Sequence, residues 1–301
     1  TEVLWTLDEE GTLTIGGKGK ILSYTIYVGG YTDSPWNSFK ESIKKVVIKE
    51  GITGIGDNAF YRCSNIEKII TPSTLKYFTS LEYCTKIKSA GPIGSGADYE
   101  YAYRDNIPEN AFYNMQNLES FDVPDGVKSI SRSAFEGCTK LKSVSLPKSL
   151  ETIDYKVFTG CKELESIEIP ENLKNIGYGN FIDCVKLKSV KFNTPNFIFE
   201  DGILYNIEKT ILIENILDSA PSEYFIPETV ETIGQYAFYR KKSIKTIHIP
   251  ASVRKIEDEA FSKRSSAGIS YCYFYGDVPE VKVYTFDNLS PSSITIYYPL
   301  E

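Results

Sequence analysis

The chain has 301 residues, of which 42% are hydrophobic and 24% are charged, and its formal net charge is -7. This composition is ordinary for a folded protein and argues against wholesale disorder. The negative charge gives no electrostatic reason to expect nucleic acid or an anionic membrane as a partner, and no run of about 18 apolar residues predicts a membrane span. Because the sequence begins at Thr1 rather than at Met, we expect a secretory signal to lie outside it.

Residues 1–44 do not follow the repeat that organises the rest of the chain, and we interpret them as an N-terminal cap. Apolar residues alternate at 5–7 and 13–15 around an acidic turn, which predicts a hairpin, and residues 37–43 predict a short helix. The only tryptophans, Trp5 and Trp36, lie here. The first apolar face of a repeat array needs a cover. We interpret both tryptophans as part of that cover, with ligand stacking as the alternative.

A repeat of 23 residues is marked by Cys138, Cys161 and Cys184. Within it, Val144 lies between two serines, which predicts a short strand with one buried face. The strand ends at Pro147, because proline cannot donate a ladder hydrogen bond. One rung cannot bury its apolar residues alone, but stacked rungs do so with parallel strands ~4.8 Å apart. The residues predicted to fill this core are Phe60, Phe112, Phe135, Phe158, Phe181, Phe238 and Phe261, together with Cys138, Cys161 and Cys184.

Five of the six cysteines occupy one position of the repeat, which Met115, Lys241 and Arg264 fill in other rungs. Stacked equivalents point the same way and lie one strand spacing apart, whereas a disulfide needs Cβ atoms ~3.8 Å apart with suitable directions. We therefore predict a ladder of buried free thiols. The chain has a single histidine and no short-spaced ligand cluster, so neither a metal site nor another cofactor is expected.

Repeats are predicted over residues 45–190 with one interruption. Between Cys84 and Met115 the spacing is 31 residues instead of 23, which predicts an inserted loop at about 91–108. Insertions in repeat proteins become loops on one face and carry function more often than the core does. Alternating tyrosines share one side of an extended segment and provide large amphipathic contact area. A binding role and a loop without a role remain the alternatives. The speculative binding residues of this loop are Tyr99, Tyr101, Tyr103 and Arg104.

The C-terminal third contains three further segments. Residues 191–225 predict an elaborated rung, because an acidic glycine turn joins two apolar stretches in a strong hairpin signal, and this rung could divide the solenoid into unequal halves. Regular repeats resume over 226–268. Residues 269–301 are interpreted as a C-terminal rung and cap that protect the last apolar edge. Their aromatic run, 271–275, leaves a ligand platform as the alternative.

The register of the rungs predicts which residues point outward from the strands. One column consists of small hydroxylated residues, and the column beside it is mixed in charge. The mixed column lacks the Trp, Tyr and Arg that are typical of binding hot spots, although solenoids commonly bind along this sheet. Its speculative binding residues are Asp122, Glu168, Lys191 and His248.

No catalytic motif is present in the sequence. His248 has no nucleophile elbow around it and is predicted to be a solvated surface residue. Asp122 and Glu168 lie two rungs apart, roughly 9–10 Å by the strand spacing, which is near the separation of a glycosidase pair. An aromatic cleft is missing from this interpretation, so the chain is not expected to be an enzyme.

The repeat is clearest at 244–261, which reads Ile-Lys-Thr-Ile-His-Ile-Pro-Ala-Ser-Val-Arg-Lys-Ile-Glu-Asp-Glu-Ala-Phe. It resembles the leucine-rich repeat first described in treponemal and BspA-like bacterial surface proteins, and the resemblance covers nearly the whole chain. It implies a leucine-rich repeat solenoid, right-handed and β-rich, with short strands and short helical turns, capped at both ends.

The same resemblance implies a secreted or surface-displayed bacterial module, often part of a larger anchored chain, that adheres to other proteins. A host extracellular or neighbouring-cell protein is the expected partner, and a glycan is the alternative. Neither nucleic acid binding nor membrane insertion is expected. Because a fold does not determine a function, two further hypotheses stand beside adhesion. One is a structural spacer or self-assembling surface element, and the other is a carbohydrate-active enzyme.

Overall fold

The computed structural model describes residues 3–78, 81–92, 97–101, 105–217, 221–262, 269–282, 284–286 and 294–298. The chain forms two compact units. The first comprises Thr1–Ile176 with Asp183–Lys191, and the second comprises Gly177–Ile182 with Phe192–Glu301.

Short strands dominate both units. The strands that begin before residue 190 are Val3–Leu7 (β1), Thr12–Gly17 (β2), Gly19–Ile21 (β3), Ile26–Tyr27 (β4), Tyr31–Thr32 (β5), Lys45–Ile48 (β6), Ile52–Ile55 (β7), Lys68–Ile70 (β8), Tyr77–Phe78 (β9), Ser89–Pro92 (β10), Tyr99–Tyr101 (β11), Asn106–Ile107 (β12), Ser120–Asp122 (β13), Ser129–Ile130 (β14), Ser143–Ser145 (β15), Thr152–Ile153 (β16), Ser166–Ile169 (β17), Asn175–Ile176 (β18) and Ser189–Phe192 (β19). The later strands are Phe197–Glu200 (β20), Ile203–Asn206 (β21), Ile211–Asn215 (β22), Glu223–Phe225 (β23), Thr232–Ile233 (β24), Thr246–Ile249 (β25), Lys255–Ile256 (β26), Tyr271–Phe274 (β27), Glu280–Val281 (β28) and Thr295–Tyr297 (β29).

The first unit stacks its rungs so that equivalent strands form sheets. One sheet has the order β1-β2-β6-β8-β11-β10-β13-β15, and every pair in it except β1 with β2 is parallel. The return side of the rungs forms the parallel sheets β3-β7-β9 and β12-β14-β16-β18. The chain is therefore the β-solenoid that its repeat predicts.

Strand β15 illustrates how the sequence makes one rung. Val144 is buried between exposed Ser143 and Ser145, and each pairs with the residue 23 positions earlier in β13. After the strand, the carbonyl of Pro147 accepts a hydrogen bond from the amide of Leu150 at 3.1 Å, which turns the chain back. Proline thus ends the ladder and starts the return side of the rung.

Stacked phenylalanines run through the core of the first unit. The ring centroids of Phe112 and Phe135 are 5.1 Å apart, and those of Phe135 and Phe158 are 5.7 Å apart, with the rings nearly parallel in both pairs. All three side chains are fully buried. Burial of each contributes roughly 1.5–3 kcal/mol. Burial of one aromatic residue per rung therefore contributes much of the free energy that holds successive rungs together.

All six cysteines are free and buried. In the regular rungs the thiol donates a hydrogen bond to the carbonyl of the phenylalanine one rung earlier, for example from Cys138 Sγ to Phe112 at 3.1 Å and from Cys161 Sγ to Phe135 at 3.3 Å. Burial raises the pKa of the Cys138 thiol well above its usual value. These thiols stay protonated and act as small core donors rather than as reactive groups.

The expected short helical turns are reduced to single hydrogen-bonded turns in the part of the chain that the structure describes. There the only helix is a 3-10 helix at Asn37–Phe39, and no helix there is long and apolar enough to cross a membrane. Rungs close through single turns instead, such as the bond from the amide of Tyr113 to the carbonyl of Asn110. Asn110 and Asn114 have φ of 56°, a left-handed conformation that stops the turn from continuing as a helix.

The N-terminal segment covers the first rung with aromatic side chains. Strands β1 and β2 form the predicted hairpin, in which Trp5 pairs with Ile15. Trp36 is 1% exposed, donates from Nε1 to the carbonyl of Ala59 at 2.7 Å, and stacks on Phe60. Trp5 meets Trp36 edge to face, with ring centroids 6.3 Å apart. These contacts support cap packing as the role of both tryptophans.

The insertion at about 91–108 contributes a strand, whereas the sequence predicted a loop on one face. Strand β11 lies between β8 and β10, with Tyr99 paired to both Ile69 and Ala90. Alternating tyrosines have high strand propensity, and a neighbouring strand edge offers them hydrogen-bond partners, so the segment pairs into the sheet. Residues 102–104 lie outside the described residues.

The second unit builds its sheets differently. A hairpin of β20 and β21 pairs Phe197 with Asn206, and β21 then pairs antiparallel with β22. Strand β22 starts a parallel series, which completes the order β20-β21-β22-β24-β26-β28. The other sheet, β23-β25-β27-β29, is parallel throughout. Phe238 and Phe261 stack between these sheets with ring centroids 5.5 Å apart.

Candidate binding face

Four aromatic side chains form one column on the outer face of β23-β25-β27-β29. Phe225 pairs with His248, His248 pairs with Tyr273, and Tyr273 pairs with Tyr297. We call these four residues the aromatic column. Since side chains alternate between the two faces of a strand, equal register places all four on the same face. The buried residues between them, such as Ile247, point into the core.

The rings of the aromatic column stack face to face. Their centroids are 4.0 Å apart for Phe225 and His248, 5.0 Å for His248 and Tyr273, and 4.5 Å for Tyr273 and Tyr297, with interplanar angles of 6°, 9° and 5°. Parallel rings this close overlap through their faces, because coplanar rings would collide edge to edge. The column therefore turns ring edges and phenolic hydroxyls toward solvent.

Further aromatic residues flank the column. Tyr271 is 44% exposed and lies on the same face of β27, two residues before Tyr273, and Tyr275, which is 55% exposed, follows that strand. Within the column, Phe225 is 61% exposed and Tyr297 is 43% exposed. A continuous, partly exposed aromatic surface of this kind is a candidate interaction site.

His248 is the buried centre of this surface. It is 8% exposed, so the expectation of a solvated surface histidine is wrong. Its Nδ1 lies 2.6 Å from the hydroxyl oxygen of Tyr275, and its Nε2 lies 2.8 Å from Oε1 of Glu223. The neighbouring rings cover both faces of the imidazole, and two polar side chains bind its nitrogens. The sequence pattern of one strand could not show this, because every partner comes from another rung or from beyond the strand.

The corresponding surface of the first unit carries charges instead of aromatic rings. Asp122, Glu168 and Lys191 are all exposed. Glu168 Oε1 binds Lys191 Nζ at 2.8 Å across one rung. Glu168 therefore has a lysine partner and stands two strands from Asp122, an arrangement that does not resemble a catalytic carboxylate pair in a cleft. In the described residues, no group of three metal-ligating side chains converges.

The speculative site in the insertion is only partly visible. The backbone of Tyr99 and Tyr101 lies in β11, and Tyr103 and Arg104 fall outside the described residues. A polar cavity of about 450 Å³ lies nearby, lined by Glu67, Lys86, Lys88, Asp98 and Asn117. Two of its charges bind each other, in the 3.5 Å contact between Lys86 Nζ and Glu67 Oε1, and a carboxylate oxygen of Asp98 accepts from the backbone amide of Lys88 at 3.2 Å. The predicted binding residues of the insertion belong to the first unit, whereas His248 belongs to the second.

Glu214 is a buried acid that sequence reasoning missed. It is 1% exposed, and its carboxylate accepts hydrogen bonds from the amides of Asn180 at 2.9 Å and Phe181 at 3.0 Å. Burial raises the pKa of Glu214 to about 7, although Lys241 and the two amides oppose this shift. In regular rungs the equivalent amide binds a backbone carbonyl, as Phe112 binds Ala134. Glu214 thus satisfies amides where the regular ladder is interrupted.

The residues that form the candidate face could have been found only by aligning the irregular rungs. The sequence marks 271–275 as aromatic, yet as an interrupted end segment it favours a cap. The register of β23, β25, β27 and β29 is what brings the rings together. Sequence reasoning missed Glu223 and Phe225, and it gave a ligand platform only as the alternative to a cap for the C-terminal aromatic residues, which include Tyr271, Tyr273, Tyr275 and Tyr297.

Comparison with solved structures finds several bacterial proteins of the same fold. A leucine-rich repeat protein from Eubacterium ventriosum is 24% identical, with 93% of this chain and 71% of that chain covered and a TM-score of 0.58. A leucine rich cell surface protein from Faecalibacterium prausnitzii is 20% identical, with coverage of 99% and 93% and a TM-score of 0.66. A leucine-rich repeat protein from Bacteroides ovatus is 21% identical, with coverage of 99% and 76% and a TM-score of 0.55.

At these identities the likeness establishes the fold alone. None of the curated proteins matches the chain. The family model described as the BspA type Leucine rich repeat region matches in six copies, over residues 34–91, 105–225 and 218–301. The chain therefore belongs to the BspA-type leucine-rich repeat family.

Proposed function

We propose that this chain is a non-enzymatic binding module of a bacterial cell surface, and that it holds a protein partner on the aromatic column. The observation that carries the proposal is the exposed, stacked row of Phe225, His248, Tyr273 and Tyr297. Aromatic residues, and Tyr in particular, provide large contact area at low entropic cost and dominate binding hot spots. A folded chain gains little from exposing them without a partner.

Ring orientation favours a protein partner over a glycan. Sugars stack on open aromatic faces, but both faces of His248 and of Tyr273 are covered by their neighbours in the column. Ring edges and hydroxyls together suit a surface of mixed apolar and polar groups, which is what a protein presents. The glycan alternative would need the open faces that only the two ends of the column can supply.

Two findings support the surface location and the absence of catalysis. One structural relative is described as a cell surface protein, and membership of the family agrees with display outside the cell. Acids on the exposed strands of the first unit have lysine partners, such as Lys191 for Glu168, rather than a poised base or nucleophile. A host extracellular protein or a protein of a neighbouring cell is the proposed class of partner.

The test is capture of purified extracellular-matrix and plasma proteins by the immobilised chain. The variant Phe225→Ser with Tyr297→Ser removes both exposed ends of the column. Tyr155→Ser, which changes a 45% exposed tyrosine of the first unit, is the matched control. Two further variants cover the other predicted surfaces: one changes Asp122 and Lys191 to Ser, and the other changes the three tyrosines of the insertion to Ser.

The expected result is a protein that the native chain and the Tyr155→Ser control retain and that the Phe225→Ser, Tyr297→Ser variant loses. Loss only in the charged-strand variant or the insertion variant would place the site in the first unit and contradict the aromatic column. Retention of no protein by the native chain would contradict the binding function and favour a structural spacer. Each comparison requires that the variants remain folded at the assay temperature, which circular dichroism checks.

A further inference from the structure

The hydrogen bonds around His248 determine which of its nitrogens carries a proton. An ionised carboxylate can only accept hydrogen bonds, so the contact of 2.8 Å to Glu223 requires a proton on Nε2. In the neutral imidazole Nδ1 then has a lone pair, and the hydroxyl of Tyr275 donates to it at 2.6 Å. The neutral ring is therefore held as the Nε2–H tautomer by partners on both sides.

This tautomer decides what the neighbouring groups can offer to a ligand. The hydroxyl proton of Tyr275 points at Nδ1, so the exposed side of its oxygen offers only lone pairs. Glu223 uses one oxygen for Nε2, and its second carboxylate oxygen remains available as an acceptor on a side chain that is 58% exposed. Because Cε1 is bonded to both nitrogens of His248, the two acceptors flank that carbon. The surface there accepts hydrogen bonds and donates none.

The electrostatics of this spot favour a cation. Burial is the main cause of the raised pKa of Tyr273, and the nearby carboxylate of Glu223 contributes a smaller part of it. The chain as a whole carries a net charge of -7. A basic side chain therefore gains from the carboxylate and the phenol oxygen together.

We propose that Glu223, His248 and Tyr275 form a receptor for a basic side chain, an arginine in particular, on the protein partner. The proposal rests on the protein-binding function above and names the chemistry of the group that is bound. Arginine fits better than lysine because its planar guanidinium carries several N–H donors in a fixed fork, which can serve two separated acceptors at once. Lysine offers one compact charge to the same pair.

The experiment uses Nα-acetyl-arginine amide as the probe and Nα-acetyl-citrulline amide as its uncharged isostere. His248 is the only histidine of the chain, so its ring resonances in the NMR spectrum of histidine-labelled protein report one site. At pH 7.5 we expect a saturable shift with the arginine probe and at least tenfold weaker binding of the citrulline probe.

Two conservative variants test the acceptors separately. Glu223→Gln keeps an acceptor for Nε2 but removes the charge, and Tyr275→Phe removes the hydroxyl but keeps the ring. In each variant we expect at least tenfold weaker binding of the arginine probe. The control Glu228→Gln, which changes an exposed acid of the same unit, should leave the affinity for the probe unchanged. An equal response to citrulline, or an unaltered affinity in Glu223→Gln, would overturn the receptor.

These outcomes separate the receptor from the proposed function. If the Phe225→Ser, Tyr297→Ser variant loses its protein partner but the arginine probe does not shift His248, the partner binds the column and the receptor is wrong. If the probe binds as expected while that variant retains its partner, the receptor stands as a site and the proposed docking on the column is wrong. The nitrogen shifts of the imidazole at high pH check the Nε2–H tautomer independently of any probe.

Discussion

The two units of this solenoid both stack phenylalanines in the core, but they differ in which residues lie on the outer strand face and in where charged residues are buried. In the regular rungs of the first unit, stacked phenylalanines such as Phe135 fill the core, and the outer face carries paired charges such as Glu168 and Lys191. In the second unit, Glu214 is buried near Lys241, and aromatic rings stack on the outer face. The repeat thus determines which backbone positions stack, whereas the chemistry of each position is free to change once its hydrogen bonds are satisfied.

The hydrogen bonds at the cysteine position show how one position of the repeat can hold different side chains. In the first unit the thiol of Cys138 donates to the carbonyl of Phe112, and the amide of Phe112 finds a carbonyl in the next rung. In the second unit Lys241, at the cysteine position, donates to the carbonyl of Ile216 at 2.9 Å. A buried lysine and a buried glutamate replace a neutral thiol and a neutral carbonyl, and each still satisfies backbone groups that would otherwise be costly to bury.

The largest expected effect lies in the core of the first unit. Phe158→Ala removes a fully buried ring that stacks on Phe135, and we expect it to lower the free energy of unfolding by about 3–5 kcal/mol. The measurement is denaturant unfolding followed by far-ultraviolet circular dichroism. Tyr155→Ala, at an exposed position of the same rung, is the control. An unchanged unfolding midpoint for Phe158→Ala would contradict the stacked-rung core.

The buried acid of the second unit should make stability depend on pH. The pKa of Glu214 is raised to about 7 in the folded chain from its ordinary value of 4.5, so between these values the folded state binds more protons than the unfolded state. The unfolding free energy therefore falls as pH rises from about 5 to 8, by about 3 kcal/mol from this group. Glu214→Gln should remove this fall.

The comparison for Glu214 is the difference between native and variant unfolding midpoints at each pH. Glu228→Gln, at an exposed position of the same unit, should reproduce the native pH dependence. If Glu214→Gln and the native chain show parallel pH profiles, then the pKa of Glu214 is the same in the folded and the unfolded chain, which would contradict the prediction.

Replacing Asn215 with an apolar residue would make the core of the second unit more like that of the first. Its side chain is fully buried, and among the described residues its amide nitrogen and oxygen have no hydrogen-bond partner. An unsatisfied buried amide costs about 1–3 kcal/mol, so Asn215→Leu, which is similar in size and apolar, should raise the unfolding free energy by about 1–2 kcal/mol. Thermal unfolding measures this change, and destabilisation by Asn215→Leu would show that the amide has a partner in solution.

A smaller effect is expected on the aromatic face. Phe225→Ala removes a 61% exposed ring that stacks on His248, and an aromatic pair of this kind contributes about 0.5–1.5 kcal/mol. Loss of the ring current should also move the His248 resonances downfield. Phe39→Ala, which changes another half-exposed phenylalanine, should leave those resonances in place. If the His248 resonances are identical in both variants, Phe225 does not stack on His248 in solution.

The smallest effect is expected for the charged face of the first unit. Lys142→Ala breaks a 2.9 Å ion pair with Glu119 whose two side chains are 58% and 48% exposed. Exposed pairs gain little because water screens them, so we expect no measurable change in the unfolding midpoint. A clear destabilisation that 1 M salt abolishes would show that the cross-rung pairs act as a network.

The sequence by itself determined the repeat and what depends on it. A period of 23 residues, with Val144 between serines and Pro147 after it, specifies a strand, its buried face and its end. Because each rung meets an equivalent rung, the same period predicts that Phe135 stacks on Phe158 and that free cysteines form a buried column. Such features are local patterns copied at a fixed spacing, and stacking converts them directly into contacts.

Tertiary structure decided everything that departs from the period. Tyr99–Tyr101 became a strand because a neighbouring edge could pair with it, and Glu214 became a buried acceptor because the hairpin rung interrupts the backbone ladder. His248 was predicted from one strand to be solvated, but Phe225, Tyr273 and Tyr275 from other segments bury it. These outcomes depend on pairings between irregular rungs, whose register has no fixed spacing in the sequence from which it could be counted.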